Sequence, residues 1–311
     1  MCVGRPVSTE EQVYKPSTRS PGSLIRVSDL KVSLLIIFSS SVAMISNMLL
    51  LSPLCFLLCW MLPVDSMRIR VSFTSRLPIG PRLLNMAPGA FDDMYFGCNH
   101  TMTQMVEKKY FKKENTGAFW DVWEKASDCA NRNLNHTDAG DEALTKDHMQ
   151  AICVYTSDYK KFYWLFNDAV RTNKENHEFP YHSLHFWLTS AMQILNENNK
   201  CHTTYRRSDL KFVASVNKVI RFGSFTSSSK KSNLDVFGRK TCFKITTCSG
   251  AYLKHYSAFK GEAEVLIPPY EMFKVTDVKK GRDVAQLSDC EDVYMLESVG
   301  VHSNMNCRAV N

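Results

Sequence analysis

The chain predicts an α+β fold in which a helical half precedes a stranded half. Two observations carry this. Between about residue 101 and residue 195 apolar side chains recur at three- and four-residue spacing, as in helices that lay one face on a core. After Cys201 the grammar changes to short runs rich in β-branched and aromatic residues, separated by Gly, Ser, Pro and Lys. Helices and strands segregated in this way point to α+β and away from a doubly wound parallel sheet. At 311 residues with 44% hydrophobic composition, the chain can bury a substantial core.

In chain order, residues 34–62 come first: nearly uncharged, mostly apolar, and long enough to cross a bilayer as a helix. The compact apolar stretch Leu49 to Leu62, followed by Pro63-Val64-Asp65-Ser66 as a processing region, favours a cleaved signal peptide starting at Met44 or Met48. With the longer start, Arg26 and Lys31 precede the apolar run and a membrane anchor is the alternative. Residues 1–66 are therefore read as an extension carrying a signal peptide or signal anchor, 67–85 as a linker, and 86–311 as a single domain. The end, Met305-Asn306-Cys307-Arg308-Ala309-Val310-Asn311, carries no apolar tail of the kind a lipid anchor needs.

Within the domain, Thr101-Met105-Tyr110 and Phe119-Val122-Trp123 suit helices, and Asp147 to Ala169 and Ser183 to Leu195 are the clearest ones. The strands expected are 218–222, 241–246, 264–267 and 293–296. Beyond the apolar run stand Cys98, Cys129, Cys153, Cys201, Cys242, Cys248, Cys290 and Cys307, an even set with no Cys-x-x-Cys pair, which reads as disulfides rather than a zinc site. Asn99-His100-Thr101 and Asn135-His136-Thr137 are glycosylation sequons, useful only on the export route. The two signals agree on a secreted, extracellular protein, with attachment through residues 34–62 as the alternative.

The net charge of +7 is spread over scattered pairs such as Lys108-Lys109 and Lys230-Lys231, not the clustered basic stripe of a nucleic-acid surface. His182 and His185 lack a carboxylate at zincin spacing, so no metal is expected. The chemistry points elsewhere, to Gly261-Glu262-Ala263-Glu264 ahead of Val265-Leu266-Ile267. At the head of a strand, residues two apart share a face, which would set two carboxylates side by side. Like charges at that distance disfavour joint ionisation, so one suits acid/base work and the other cation stabilisation. An isolated Glu-x-Glu is usually a solvated strand end, and the motif needs company.

That company is Thr204-Tyr205-Arg206 upstream and Phe225-Thr226-Ser227-Ser228-Ser229 after Arg221-Phe222-Gly223. In order and kind these resemble the Arg, Ser-x-Ser and Glu-x-Glu strands of the ecto-ADP-ribosyltransferases. The resemblance extends to Met86-Ala87-Pro88, Phe91-Asp92-Asp93-Met94-Tyr95, Cys98, Val154-Tyr155-Thr156, Leu184-His185-Phe186 and Ser303-Asn304-Met305-Asn306-Cys307, so it covers essentially the whole domain.

The resemblance implies two packed antiparallel sheets around an NAD cleft beside the helical part, and transfer of ADP-ribose from NAD to protein arginines with release of nicotinamide. Arg206 would fork onto an NAD phosphate. Ser227 would bond near the nicotinamide ribose and orient Glu264, which would stabilise positive charge as the nicotinamide bond breaks. Glu262 would hold the acceptor guanidinium and take its proton. Tyr205 joins Arg206 in the cofactor-binding set. Phe237 resembles the aromatic that packs on nicotinamide, or is a core Phe after a turn; Ser229 is a site hydroxyl or a turn cap. Tyr256 to Gly261 corresponds to the acceptor loop, where Phe259 could stack on an arginine.

By the same analogy Cys98 pairs with Cys307 and Cys201 with Cys248, leaving Cys129–Cys153 and Cys242–Cys290 as pairings by elimination. The departure is Arg207, where the family has Gly: it adds bulk and charge that would either strengthen phosphate binding or obstruct it. The rival readings are an NAD glycohydrolase, in which water replaces arginine, and a catalytically silent binding protein on the same scaffold. The enzyme is expected to act as a monomer, without metal or nucleic acid.

Overall fold

The computed structural model describes residues 80–173, 179–198 and 200–310. The apolar segment 34–62 and the processing region after it lie outside the described residues. The helical half opens with α1 (Asn99–Met105), which passes through a π turn (Val106–Tyr110) into the single-turn α2 (Phe111–Glu114). Next come α3 (Gly117–Leu134), α4 (Lys146–Thr156), α5 (Phe162–Thr172) and α6 (His182–Leu195). In α3 the buried residues Phe119, Val122, Trp123, Ala126 and Ala130 follow helical spacing and form one inward stripe. α6 buries every residue from His182 to Met192, as befits a helix wrapped on all sides by protein. α4 starts on a capping box: Thr145 Oγ1 accepts from the His148 amide, and the Thr145 amide donates to His148 Nδ1 at 3.0 Å.

The helix expected over Asp147 to Ala169 is two helices. The chain turns at Tyr159–Lys161, where Lys160 and Lys161 both adopt left-handed backbone, with φ of 52° and 51°. No Gly or Pro marks that corner, so the apolar periodicity reads through it. The turn is imposed by packing: Phe162, the first residue of α5, stacks on Phe119 of α3 and meets Tyr181 edge-on.

The strands are β1 (Arg82–Leu83), β2 (His202–Ser208), β3 (Phe212–Val213), β4 (Val219–Arg221), β5 (Thr226–Ser229), β6 (Thr241–Thr247), β7 (Ala251–Tyr252), β8 (Glu264–Ile267), β9 (Glu271–Lys280) and β10 (Asp292–Val301). Where the resemblance implies two packed antiparallel sheets, the strands form one eight-stranded, mostly antiparallel ladder of order β4-β9-β10-β6-β2-β5-β8-β7, plus a small parallel pair β1-β3. Within the ladder only β10 and β6 run parallel. One cluster fills the helical half and takes in Phe225, Tyr256 and Leu266 from the stranded half; a second, built on Phe243, Ile245, Ile267, Phe273 and Leu296, lies within the ladder.

The fold begins before residue 86. Arg82 and Leu83 pair with Phe212 and Val213, Leu84 is buried, and the Asn85 carbonyl accepts from the Arg221 amide. The Met86 and Ala87 carbonyls accept from the Arg221 guanidinium, which also pairs with Asp92 and reaches the His302 carbonyl. Asp92 in turn holds Ser303 and the Asn304 amide. The family-like segments at 86–95 and 303–307 thus form one clasp, closed by Cys98–Cys307. Gly223, at φ +68°, turns the chain from β4 towards β5, and a Cβ there would lie 2.2 Å from that of Ala87. The other disulfides are Cys129–Cys153, Cys201–Cys248 and Cys242–Cys290.

Candidate active site

Strand pairing brings the motif residues together. β2 and β5 pair only at Tyr205–Ser229, and across the opening beyond that point Arg206 Nη1 donates to the Ser227 carbonyl at 2.6 Å. β5 pairs along its length with β8, setting Ser229 opposite Glu264 and Ser227 opposite Leu266. Arg206, Ser227 and Glu264, 58 residues apart from first to last (264 − 206), therefore share one locality.

Glu264 is 5% exposed, and Ser257 Oγ donates to its Oε2 at 2.8 Å. Burial pushes the Glu264 carboxyl above the usual carboxylate range; hydrogen bonds from Ser227 and Ser257 oppose this, the neighbouring Glu262 adds to it, and Arg206 opposes it. Burial lowers the Arg206 guanidinium, against the raising influence of Tyr155, Tyr163 and Glu264. These shifts agree with a site in which cation and carboxylate face one another out of bulk water.

The second carboxylate arrives differently from the expectation. Glu262 lies on a 3₁₀ turn (Lys260–Glu262), and Ala263 takes left-handed backbone at φ 48°, so strand alternation does not align the two carboxylates. The two carboxylates nevertheless lie close enough to act on each other electrostatically. Ser229 pins that turn, accepting from the Lys231 amide and donating to the Glu262 carbonyl at 2.5 Å; of its two readings, the turn-holding one describes these contacts. The Glu262 carboxylate is partly buried, which raises its pKa, and makes no hydrogen bond or ion pair among the described residues.

Alternation in β2 separates the neighbours of Arg206. Tyr205 and Arg207 point to the other side of the strand, where Tyr205 packs on Cys242, Val284, Leu287, Cys290 and Val293. Arg207 is 8% exposed and forks onto Asp289 at 2.8 and 3.0 Å, with Nε donating to the Ser232 carbonyl at 2.8 Å. Its bulk and charge are thereby directed away from Arg206. Phe237 sits half exposed on a short 3₁₀ turn (Asp235–Phe237), and no hydrogen bond, ion pair or ring contact ties it to the Arg206–Glu264 group among the described residues. The structure thus gathers Arg206, Ser227, Glu262 and Glu264 and leaves the Tyr205 and Phe237 side chains outside their network.

Three further residues stand near the quartet: Tyr155 and Ser257 lie in segments that carry the resemblance but without an assigned role, and Tyr163 has no signal in the sequence. The Tyr155 hydroxyl donates to the Phe225 carbonyl at 2.8 Å, accepts from Asn167 at 3.1 Å, and interacts with Ser227. Tyr163 senses the charge of Arg206. Ser257 holds Glu264. The described residues contain no His/Cys/Asp/Glu group arranged to hold a metal ion.

Residues 84–291 match the family described as NAD:arginine ADP-ribosyltransferase. The chain belongs to this family. It is 33% identical over 244 residues to the erythroblast NAD(P)(+)--arginine ADP-ribosyltransferase of Gallus gallus, covering 75% of this chain and 78% of that one. It is 34% identical over 239 residues to ecto-ADP-ribosyltransferase 4 of Homo sapiens, with 72% of each covered. Among solved structures, a mutant of the eukaryotic mono-ADP-ribosyltransferase ART2.2 in complex with NADH superposes with a TM-score of 0.62 at 31% identity, covering 73% of this chain and 99% of that one. The α+β architecture is therefore the ADP-ribosyltransferase fold.

Proposed function

We propose that this ADP-ribosyltransferase works through Arg206, Ser227, Glu262 and Glu264. The enzyme transfers ADP-ribose from its substrate NAD to arginine side chains of proteins and releases nicotinamide. The observation that carries the residue assignment is the meeting of β2, β5 and β8, which puts one guanidinium, one hydroxyl and one buried carboxylate together. Arg206 spends a single N–H on the Ser227 carbonyl, leaving donors of its fork for phosphate oxygens. Glu264, as a carboxylate in a low-dielectric setting, stabilises the positive charge that develops as the nicotinamide bond breaks. Glu262, its carboxylate uncommitted, binds the acceptor guanidinium and takes its proton.

One chain carries all four residues, which supports action as a monomer. Four disulfides among the described residues, and sequon residues Asn99 and Asn135 exposed on the surface, support an extracellular location; residues 1–66 are the part of the chain with the composition to direct export or hold the protein at a membrane. The fold's entry at Arg82 supports a domain that starts slightly earlier than 86.

The test is incubation with labelled NAD and agmatine, a small guanidino acceptor, while nicotinamide release is followed in parallel. Glu264→Gln is expected to lose both transfer and hydrolysis by at least about a hundredfold. Glu262→Gln is expected to lose transfer and keep hydrolysis. Intact agmatine labelling by Glu262→Gln would overturn the role assigned to Glu262.

A further inference from the structure

The loop from Leu253 to Glu262 is tied to the helical half at several points. Asn133 Nδ2, on α3, donates to the Tyr256 carbonyl at 2.7 Å. The Tyr256 hydroxyl accepts from the Asp138 amide at 2.8 Å and donates to Asp141 Oδ2 at 2.7 Å. Thr156 Oγ1, at the end of α4, accepts from the Ala258 amide at 2.9 Å. Ser257 stands between these anchors, 1% exposed. Its oxygen accepts from the Phe259 amide at 3.2 Å, and its hydroxyl donates to Glu264 Oε2 at 2.8 Å.

A serine hydroxyl has one proton. With the oxygen occupied by the Phe259 N–H, that proton is aimed at Glu264, and the bond is strongest when the carboxyl is ionised. Among the described residues this is the one hydrogen bond to the Glu264 carboxyl whose geometry is fixed from outside β5 and β8. We propose that Ser257 is a positioning residue: through its hydroxyl, the anchored loop fixes the orientation of the Glu264 carboxyl and holds it in the charged form that the reaction needs. This rests on the reading of Glu264 given above. It also gives the anchors on α3 and α4 a functional consequence, because a loop free to drift would withdraw the hydroxyl from the carboxylate.

The test compares Ser257→Thr with Ser257→Val, two side chains of the same shape that differ by the hydroxyl. Nicotinamide release and agmatine labelling are followed from about pH 4 to pH 8, and the Glu264 carboxyl is titrated directly by carbon-13 NMR, assigned with Glu264→Gln. Ser257→Val is expected to lower kcat for both reactions by roughly tenfold or more, with KM for NAD changed by less than about threefold. Its acidic limb and the Glu264 midpoint should move to higher pH by about one unit, and Ser257→Thr should restore both. An unshifted Glu264 midpoint in Ser257→Val overturns the proposal even if activity falls, since loss of packing alone lowers rates without moving that titration. If Ser257→Val does not fold, Ser257→Ala takes its place with the same decisive readout. If the wild-type protein shows neither reaction, the functional reading fails, while the NMR titration still decides whether Ser257 controls the carboxyl.

Discussion

Replacing Arg207 with alanine tests whether its charge serves the fold or the dinucleotide. The wild-type guanidinium makes two bonds to Asp289 and one to the Ser232 carbonyl while being almost wholly buried. Hydrogen bonds to charged groups are worth about 1.5–3 kcal/mol each when buried, but they do not add. The Asp289 side chain is 35% exposed and keeps Arg239, whose Nε lies 3.2 Å from Oδ2, so most of the ion-pair contribution is discounted. The net loss is then about 2–3 kcal/mol, which for a domain of this size lowers Tm by roughly 5–10 °C. Because Tyr205 and Arg207 leave β2 on the side opposite Arg206, KM for NAD is expected to stay within about threefold of wild type. Thermal unfolding at neutral pH and nicotinamide release at varied NAD measure the two quantities. A KM raised tenfold or more with Tm unchanged would refute the argument and place Arg207 at the phosphates.

Two further outcomes follow from groups away from the quartet. Asp93 is fully buried; its Oδ1 accepts from the Tyr95 and Cys307 amides, Oδ2 has no hydrogen-bond partner, and burial lifts its pKa from 3.8 to about 6. A folded pKa above the unfolded value means that the native state holds the extra proton between about pH 4 and pH 6, so this group's contribution to stability falls as pH rises through that window. Asp93→Asn, which keeps the Oδ1 contacts, should flatten that part of the stability profile by up to about 3 kcal/mol in urea titrations; an unchanged profile would refute it. Replacing Cys98 and Cys307 together by serine should cost more than replacing Cys129 and Cys153, because the first bridge spans 209 residues and the second 24. On loop-closure entropy the values are roughly 5 and 3 kcal/mol, and the reverse order in urea unfolding would overturn that account.

Local sequence pattern determined a good deal about this protein. Helical spacing in 183–195 and β-rich runs at 241–246 and 264–267 correspond to α6, β6 and β8 because period and propensity act within a few residues. The proposed quartet could be singled out because Arg, Ser-x-Ser and Glu-x-Glu occur in a fixed order that resembles a known family. Tertiary structure decided the rest. The corner at Lys160–Lys161 carries no turn residue and exists because Phe162 must reach Phe119. Glu262 precedes a left-handed Ala263 and interacts electrostatically with Glu264, an arrangement no alternation rule reveals. Arg207 meets Asp289 across 82 residues, and Ser257 meets Glu264 because anchors on α3 and α4 fold the loop back. Such contacts depend on where distant segments come to rest. Sequence proximity encodes local conformation, whereas a charge partner or a proton's target is set by packing between elements that are neighbours only once the chain has folded.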